Sequence, residues 1–152
     1  MKVDIANEND VEAAVNKTVE KFGKVECLVN CAGVLLSKTL FSEEDGPHDL
    51  ASWQKVFDIN VTGTFNLNRF GAFAMRKNTP TEPYGERGVI INVASVAGNQ
   101  GRTEEQAYGP SKGAINGMVL PMARDLSRFG IRVNNINPGP MDTDMANLVI
   151  SP

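Results

Sequence analysis

Tyr108 and Lys112 stand four residues apart in the run Tyr108-Gly-Pro-Ser-Lys112, offering a phenol and an ammonium to one reacting group. On a helix, positions i and i+4 share a face, so both heads can converge. A free tyrosine has a pKa of about 10 and carries protons poorly at neutral pH, whereas a nearby cation favours its phenolate. In such a pair the tyrosine is the acid and base, the lysine is its tuner, and the ionisation is expected to fall below the free value. The helix is well signalled. Pro110 suits a first turn, where a missing N–H costs nothing, and Ala114, Ile115, Met118, Val119, Met122, Ala123 and Leu126 are apolar at helical spacing. A lone Tyr-x-x-x-Lys also arises by chance, so its neighbours must decide.

Upstream, Gly88-Val-Ile-Ile-Asn-Val-Ala-Ser95 reads as a buried strand ending in a hydroxyl and a glycine-rich loop. Ligands of open α/β sheets collect at the carboxyl ends of strands, where Ser95 would sit and could hydrogen-bond a substrate carbonyl or alcohol. A serine capping a turn is the plainer alternative. Val25-Glu-Cys-Leu-Val-Asn30-Cys31-Ala32-Gly33 is a second apolar run closing in small residues, and Asn60 follows Trp53, Val56, Phe57 and Ile59 on a helical pattern. A buried helix asparagine is most often a structural hydrogen-bonder.

Taken in order, Asn30-Cys31-Ala32-Gly33, Asn60, Ser95, Tyr108 with Lys112, and Pro138-Gly139 followed by Thr143 resemble the short-chain dehydrogenase/reductase family over almost the whole chain. The resemblance implies an NAD-dependent oxidoreductase interconverting a secondary alcohol and a ketone. Its catalytic residues would be Asn60, Ser95, Tyr108 and Lys112, with Ser95 and Tyr108 on the substrate. Asn60 would fix a water linking Lys112 to solvent. Asp4 and Ile5 would flank the adenine, Asn30, Cys31, Ala32 and Gly33 would line the cofactor, and Tyr108 and Lys112 would reach ribose and nicotinamide. Pro138, Gly139, Met141 and Thr143 would close over the nicotinamide, whose positive charge should help lower the Tyr108 ionisation. The wording around Val29 to Gly33, Gly63 to Asn66, Gly88 to Asn92 and Pro121 to Leu126 is most similar to family members acting on 3-hydroxyacyl-CoA or hydroxysteroids. That closer likeness implies an acyl-CoA or steroid substrate and a mitochondrial home, with the cytoplasm as alternative. Association of copies through the two long helices is implied by the family alone.

Composition narrows the rest. At 152 residues, 41% hydrophobic and 22% charged, the chain reads as one soluble domain able to bury a core. A formal charge of −3 gives no reason to expect nucleic-acid binding, and no apolar run approaches the roughly 20 residues that span a bilayer. Cys27 and Cys31 lie on one strand face and read as reduced packing residues. The single histidine, His48, cannot complete a metal cluster of ordinary spacing.

Strands alternating with helices predict a Rossmann-type, doubly wound parallel sheet in three αβα layers, lacking the family's first βαβ and last strand. The expected elements are a strand end at Lys2 to Ile5, a helix from Val11 to Phe22, a strand from Val25 to Val29 and a helix from about Ser52 to Arg76. A strand from Gly88 to Val96, the Tyr–Lys helix to about Phe129 and a strand from Ile131 to Ile136 follow, with polar loops at 37–49 and 77–87. No glycine-rich turn able to hold a pyrophosphate is present. The chain alone is therefore expected to be inactive, and a non-catalytic interaction partner is the rival reading.

Overall fold

In the computed structural model, residues 1–143 are described. Asn7 opens α1 (Glu8–Phe22) by accepting from the N–H groups of Asn9 and Asp10, and Gly23 closes it at φ +81°. Strand β1 (Cys27–Asn30) follows, then a small hairpin of β2 (Phe41–Ser42) and β3 (Gly46–Pro47) inside what reads as a plain polar loop. Asp49 accepts from Ser52 N to start α2 (Leu50–Phe57). A π-helical turn, Asp58–Gly63, joins α2 without a break to α3 (Thr64–Met75). Then come β4 (Gly88–Val93), the single turn α4 (Ala97–Gln100), α5 (Tyr108–Leu126) and β5 (Ile131–Ile136).

The sheet order is β1-β4-β5, all parallel, with Leu28 opposite Ile90 and Ile90 opposite Val133. Two residues on, Asn30, Asn92 and Asn135 stand in one row. That face is covered: Val25, Ile90, Ile131 and Val133 pack with Ala72 and Met75 of α3, against Val19 of α1 and Met122, Ala123 and Leu126 of α5. Removing this apolar area from water is worth about 25 cal/mol per Å², and it fixes where α3 and α5 lie over the strands.

The parallel Rossmann-type sheet is as predicted, yet the described residues form two of the three expected layers. Cys27, Val29, Arg132, Asn134 and Ile136 point to the opposite face, where all are exposed, Val29 at 50% and Ile136 at 52%. Alternation places them there, since neighbours on a strand face opposite sides. The same geometry corrects the cysteine reading: both thiols are free and exposed, not packed. Lys2 to Ile5 also forms no ladder among the described residues. Asp4 instead begins a turn, its C=O accepting from Asn7 N at 3.0 Å, while Ile5 is held to α3 by Asn66 Nδ2 at 3.4 Å and rests on Gly63.

Candidate active site

Ser95 follows β4, Pro138 follows β5, and the two loops are tied together by Ala94 N to Ile136 O at 2.9 Å and Val96 N to Pro138 O at 3.1 Å. At this carboxyl end of the sheet lies a cavity of about 410 Å³, walled by Cys31, Gly33, Ser95, Tyr108, Lys112 and Pro138 among others. Gly139, Met141 and Thr143 also line it. Asp4, Ile5, Asn30 and Ala32 do not. Asn30 is buried, its Nδ2 donating to Asn68 Oδ1 at 2.6 Å and Asn92 Oδ1 at 2.7 Å, which ties the strand ends to α3. Asp4 is exposed, its Oδ1 accepting from Ala6 N at 3.0 Å.

Tyr108 opens α5 and Lys112 lies one turn on, its Nζ 5.5 Å from the Tyr108 ring centre. Lys112 is only 5% exposed and donates to Val93 O at 2.9 Å, leaving two of its three protons for other partners. Burial pushes its pKa down, with Cys31 acting against that. Ser95 lines the cavity beside Tyr108, its Oγ accepting from Ala97 N at 3.1 Å. The Tyr108 ionisation departs from the sequence expectation. Burial pushes it above 10, the Ser95 hydrogen bond pulls the other way, and the Glu105 charge raises it further. Burial, which penalises the phenolate, is the largest influence on it in the protein alone.

Asn60 is fully buried in the π-helical turn. Such turns add one residue to a helix and re-aim a side chain, and they concentrate at functional sites. Here the amide clamps the strand-end loop: its Oδ1 accepts from Val34 N at 2.8 Å, and its Nδ2 donates to Val34 O at 2.9 Å and Ser111 Oγ at 3.0 Å. Ser111 Oγ in turn donates to Tyr108 O at 2.7 Å, so α2–α3, the Gly33 loop and the first turn of α5 are tied together. Ser111 was not singled out from sequence, although a small polar residue between Tyr108 and Lys112 on a mostly apolar helix was its signal.

A nicotinamide and its ribose fit this cavity. A Cβ on Gly33 would lie 3.2 Å from Asn60 Oδ1 and 3.5 Å from Lys112 Nζ, so glycine keeps the floor open below the lysine head. Beside it α4 meets α5 backbone to backbone, and a Cβ on Gly98 would come 2.7 Å from Gly113 N and 2.8 Å from the Lys112 carbonyl carbon. Gly98→Ala should therefore destabilise the protein by about 1–3 kcal/mol, since neither backbone can yield without moving Lys112. Thermal melting with an NADH titration checks this, and an unchanged melt with unchanged binding contradicts it.

Residues 1–151 match the family model described as short chain dehydrogenase. The chain belongs to the short-chain dehydrogenase family. Among relatives of this family, 3-hydroxyacyl-CoA dehydrogenase type-2 of Bos taurus is 47% identical over 143 residues, covering 93% of this chain and 54% of its own. Solved neighbours among the short-chain dehydrogenases carry nicotinamide cofactors in their names. NAD+-bound xylitol dehydrogenase matches at TM-score 0.80 and 35% identity, covering 93% of this chain and 50% of its own. ElxO with NADP bound matches at TM-score 0.84 and 29% identity, covering 99% and 56%. The chain thus spans about half the length of the curated relative it matches. Among the described residues no group of three or more His, Cys, Asp or Glu could hold a metal ion, and no helix is long and apolar enough to cross a membrane.

Proposed function

We propose that this protein interconverts a secondary alcohol and a ketone with NAD(H), and that its substrate is a 3-hydroxyacyl thioester or a hydroxysteroid. The observation that carries this is the convergence of Ser95, Tyr108 and Lys112 on one cavity at the carboxyl end of the sheet. When bound, the nicotinamide supplies hydride acceptance and donation. Tyr108 takes the proton from the alcohol oxygen during oxidation and returns it during reduction. Ser95, in the same cavity wall as Tyr108, orients the same oxygen and offsets charge developing on it. Lys112 has protons left for the ribose hydroxyls, and Asn60 holds the floor of the cavity in register with α5.

The acyl-CoA class is supported by the 47% identity to a 3-hydroxyacyl-CoA dehydrogenase type-2. NAD is supported by that likeness and by the NAD+-bound neighbour at 35% identity. We extend the reading to a mitochondrial location, tested by fractionation, and to a homo-oligomer joined through α2–α3 and α5. Phe65 and Phe73 on α3 and Leu120 on α5 are exposed and suit such contacts. The uncovered sheet face bearing Val29 and Ile136 favours the rival reading of a non-catalytic interaction partner. Titrating NADH into the full-length protein and then offering a 3-hydroxyacyl thioester with NAD separates the two, because the rival predicts no reduced cofactor.

Oxidation needs Tyr108 as a base, so its rate should rise with pH as the phenol ionises. In the protein without cofactor that ionisation should have its midpoint above 10, because burial favours the neutral phenol. The phenolate absorbance lost in Tyr108→Phe, followed through an alkaline titration, measures it. A midpoint below 10 without cofactor contradicts the account.

A further inference from the structure

Glu105 lies in the wall of the same cavity as Tyr108, three residues before it, and is only 4% exposed. Its backbone is fixed from two sides. Its C=O accepts from Gly109 N at 3.0 Å, and it forms a parallel bridge with Lys38, whose N–H donates to Glu104 O at 2.7 Å. Its carboxyl is poorly served: Oε2 has no hydrogen-bond partner, and Oε1 lies 4.0 Å from Arg102 Nη1, beyond hydrogen-bonding distance. A buried carboxyl left this way is costly, and a sequence-level reading gives it no role.

We propose that Glu105 is a positioning residue for Tyr108, its buried carboxylate holding the phenol in the protonated, proton-donating form. The inference rests on the dehydrogenase reading for its meaning, since it biases the site toward protonating a carbonyl oxygen and defers the base form needed for oxidation. Burial raises the Glu105 pKa, with the Arg102 charge opposing. Glu105 and Tyr108 line the same cavity, where an ionised carboxylate disfavours a second anion and the Glu105 charge accordingly raises the Tyr108 ionisation.

The other charged and titratable groups near this wall are accounted for. Lys112 approaches from α5 and is committed in part to Val93 O. Arg102 lies on the loop before α5 and is half exposed, and Cys31 comes from the end of β1. Glu104 accepts from Ser37 Oγ at 3.0 Å, Lys38 pairs with Asp49, and Asp142 is exposed beside Met141. Among these, Glu105 is the buried carboxylate sharing the cavity with the phenol.

The test is an alkaline titration of Tyr108 in the full-length protein, read as the phenolate absorbance lost in a matched Tyr108→Phe partner. Glu105→Gln preserves shape and removes the charge, and should lower the Tyr108 midpoint by about 0.5–1 pH unit. Glu105→Asp keeps the charge and should leave the midpoint near that of the unaltered protein. An unchanged or raised midpoint in Glu105→Gln, or an equal fall in both variants, overturns the proposal. The titration needs no turnover. A protein that binds NADH but oxidises nothing would therefore sink the dehydrogenase reading without deciding this one.

Discussion

Tyr108→Phe is expected to lower alcohol oxidation by about 10²- to 10⁴-fold, the range a positioned acid–base group supplies, while NADH affinity stays within a few-fold. Tyr108 opens α5 with Lys112 Nζ 5.5 Å from its ring centre, and phenylalanine keeps the ring in that place. The substitution deletes only the hydroxyl that carries the proton. Initial rates with a secondary alcohol and NAD, beside an NADH fluorescence titration, check both halves. Turnover retained in the variant would remove Tyr108 from the role assigned to it, whatever the cofactor affinity.

Lys112→Met should weaken binding and rate together, because one ammonium serves both. Loss of a charge-assisted hydrogen bond to the ribose corresponds to about 1.5–3 kcal/mol, or roughly 10- to 150-fold in NADH affinity. The rate should fall by a comparable further factor, since the cation that favours the Tyr108 phenolate disappears as well. Methionine fills most of the buried volume but leaves Val93 O without its 2.9 Å donor, so a lower melting temperature accompanies the change. Separate measurement of NADH dissociation and of the single-turnover rate distinguishes these effects. A slower rate with unchanged NADH affinity would mean that Lys112 does not reach the ribose.

Much of this site was legible because its signals are local. Tyr108 and Lys112 share a face by helical periodicity, and Pro110 marks the first turn. Ser95 sits past an apolar strand, where the parallel sheet opens. Asn60 was found as a helix residue, but the π-helical turn around it was not, since one inserted residue barely disturbs an apolar pattern that stays helical on both sides. Asn30 was misplaced for a tertiary reason: its partners, Asn68 and Asn92, are 38 and 62 residues away, and only strand register brings them together. Cys27 was misread because alternation separates the two faces of a strand without saying which one a helix will cover. The Tyr108 ionisation went the other way from expectation for a similar reason. Sequence shows the nearby cation, whereas the burial that raises the ionisation exists only after α5 has packed on the sheet.

The central claim is that Ser95, Tyr108 and Lys112 serve hydride exchange between a carbinol carbon and a nicotinamide. Its most direct test supplies the full-length protein with NAD and a 3-hydroxyacyl thioester deuterated at the carbinol carbon, followed by mass spectrometry of the recovered cofactor. The account predicts NADH carrying one deuterium at nicotinamide C4, and almost none with Tyr108→Phe. A protein that binds NADH yet returns cofactor without deuterium, across secondary alcohols of acyl-CoA and steroid type, would contradict it.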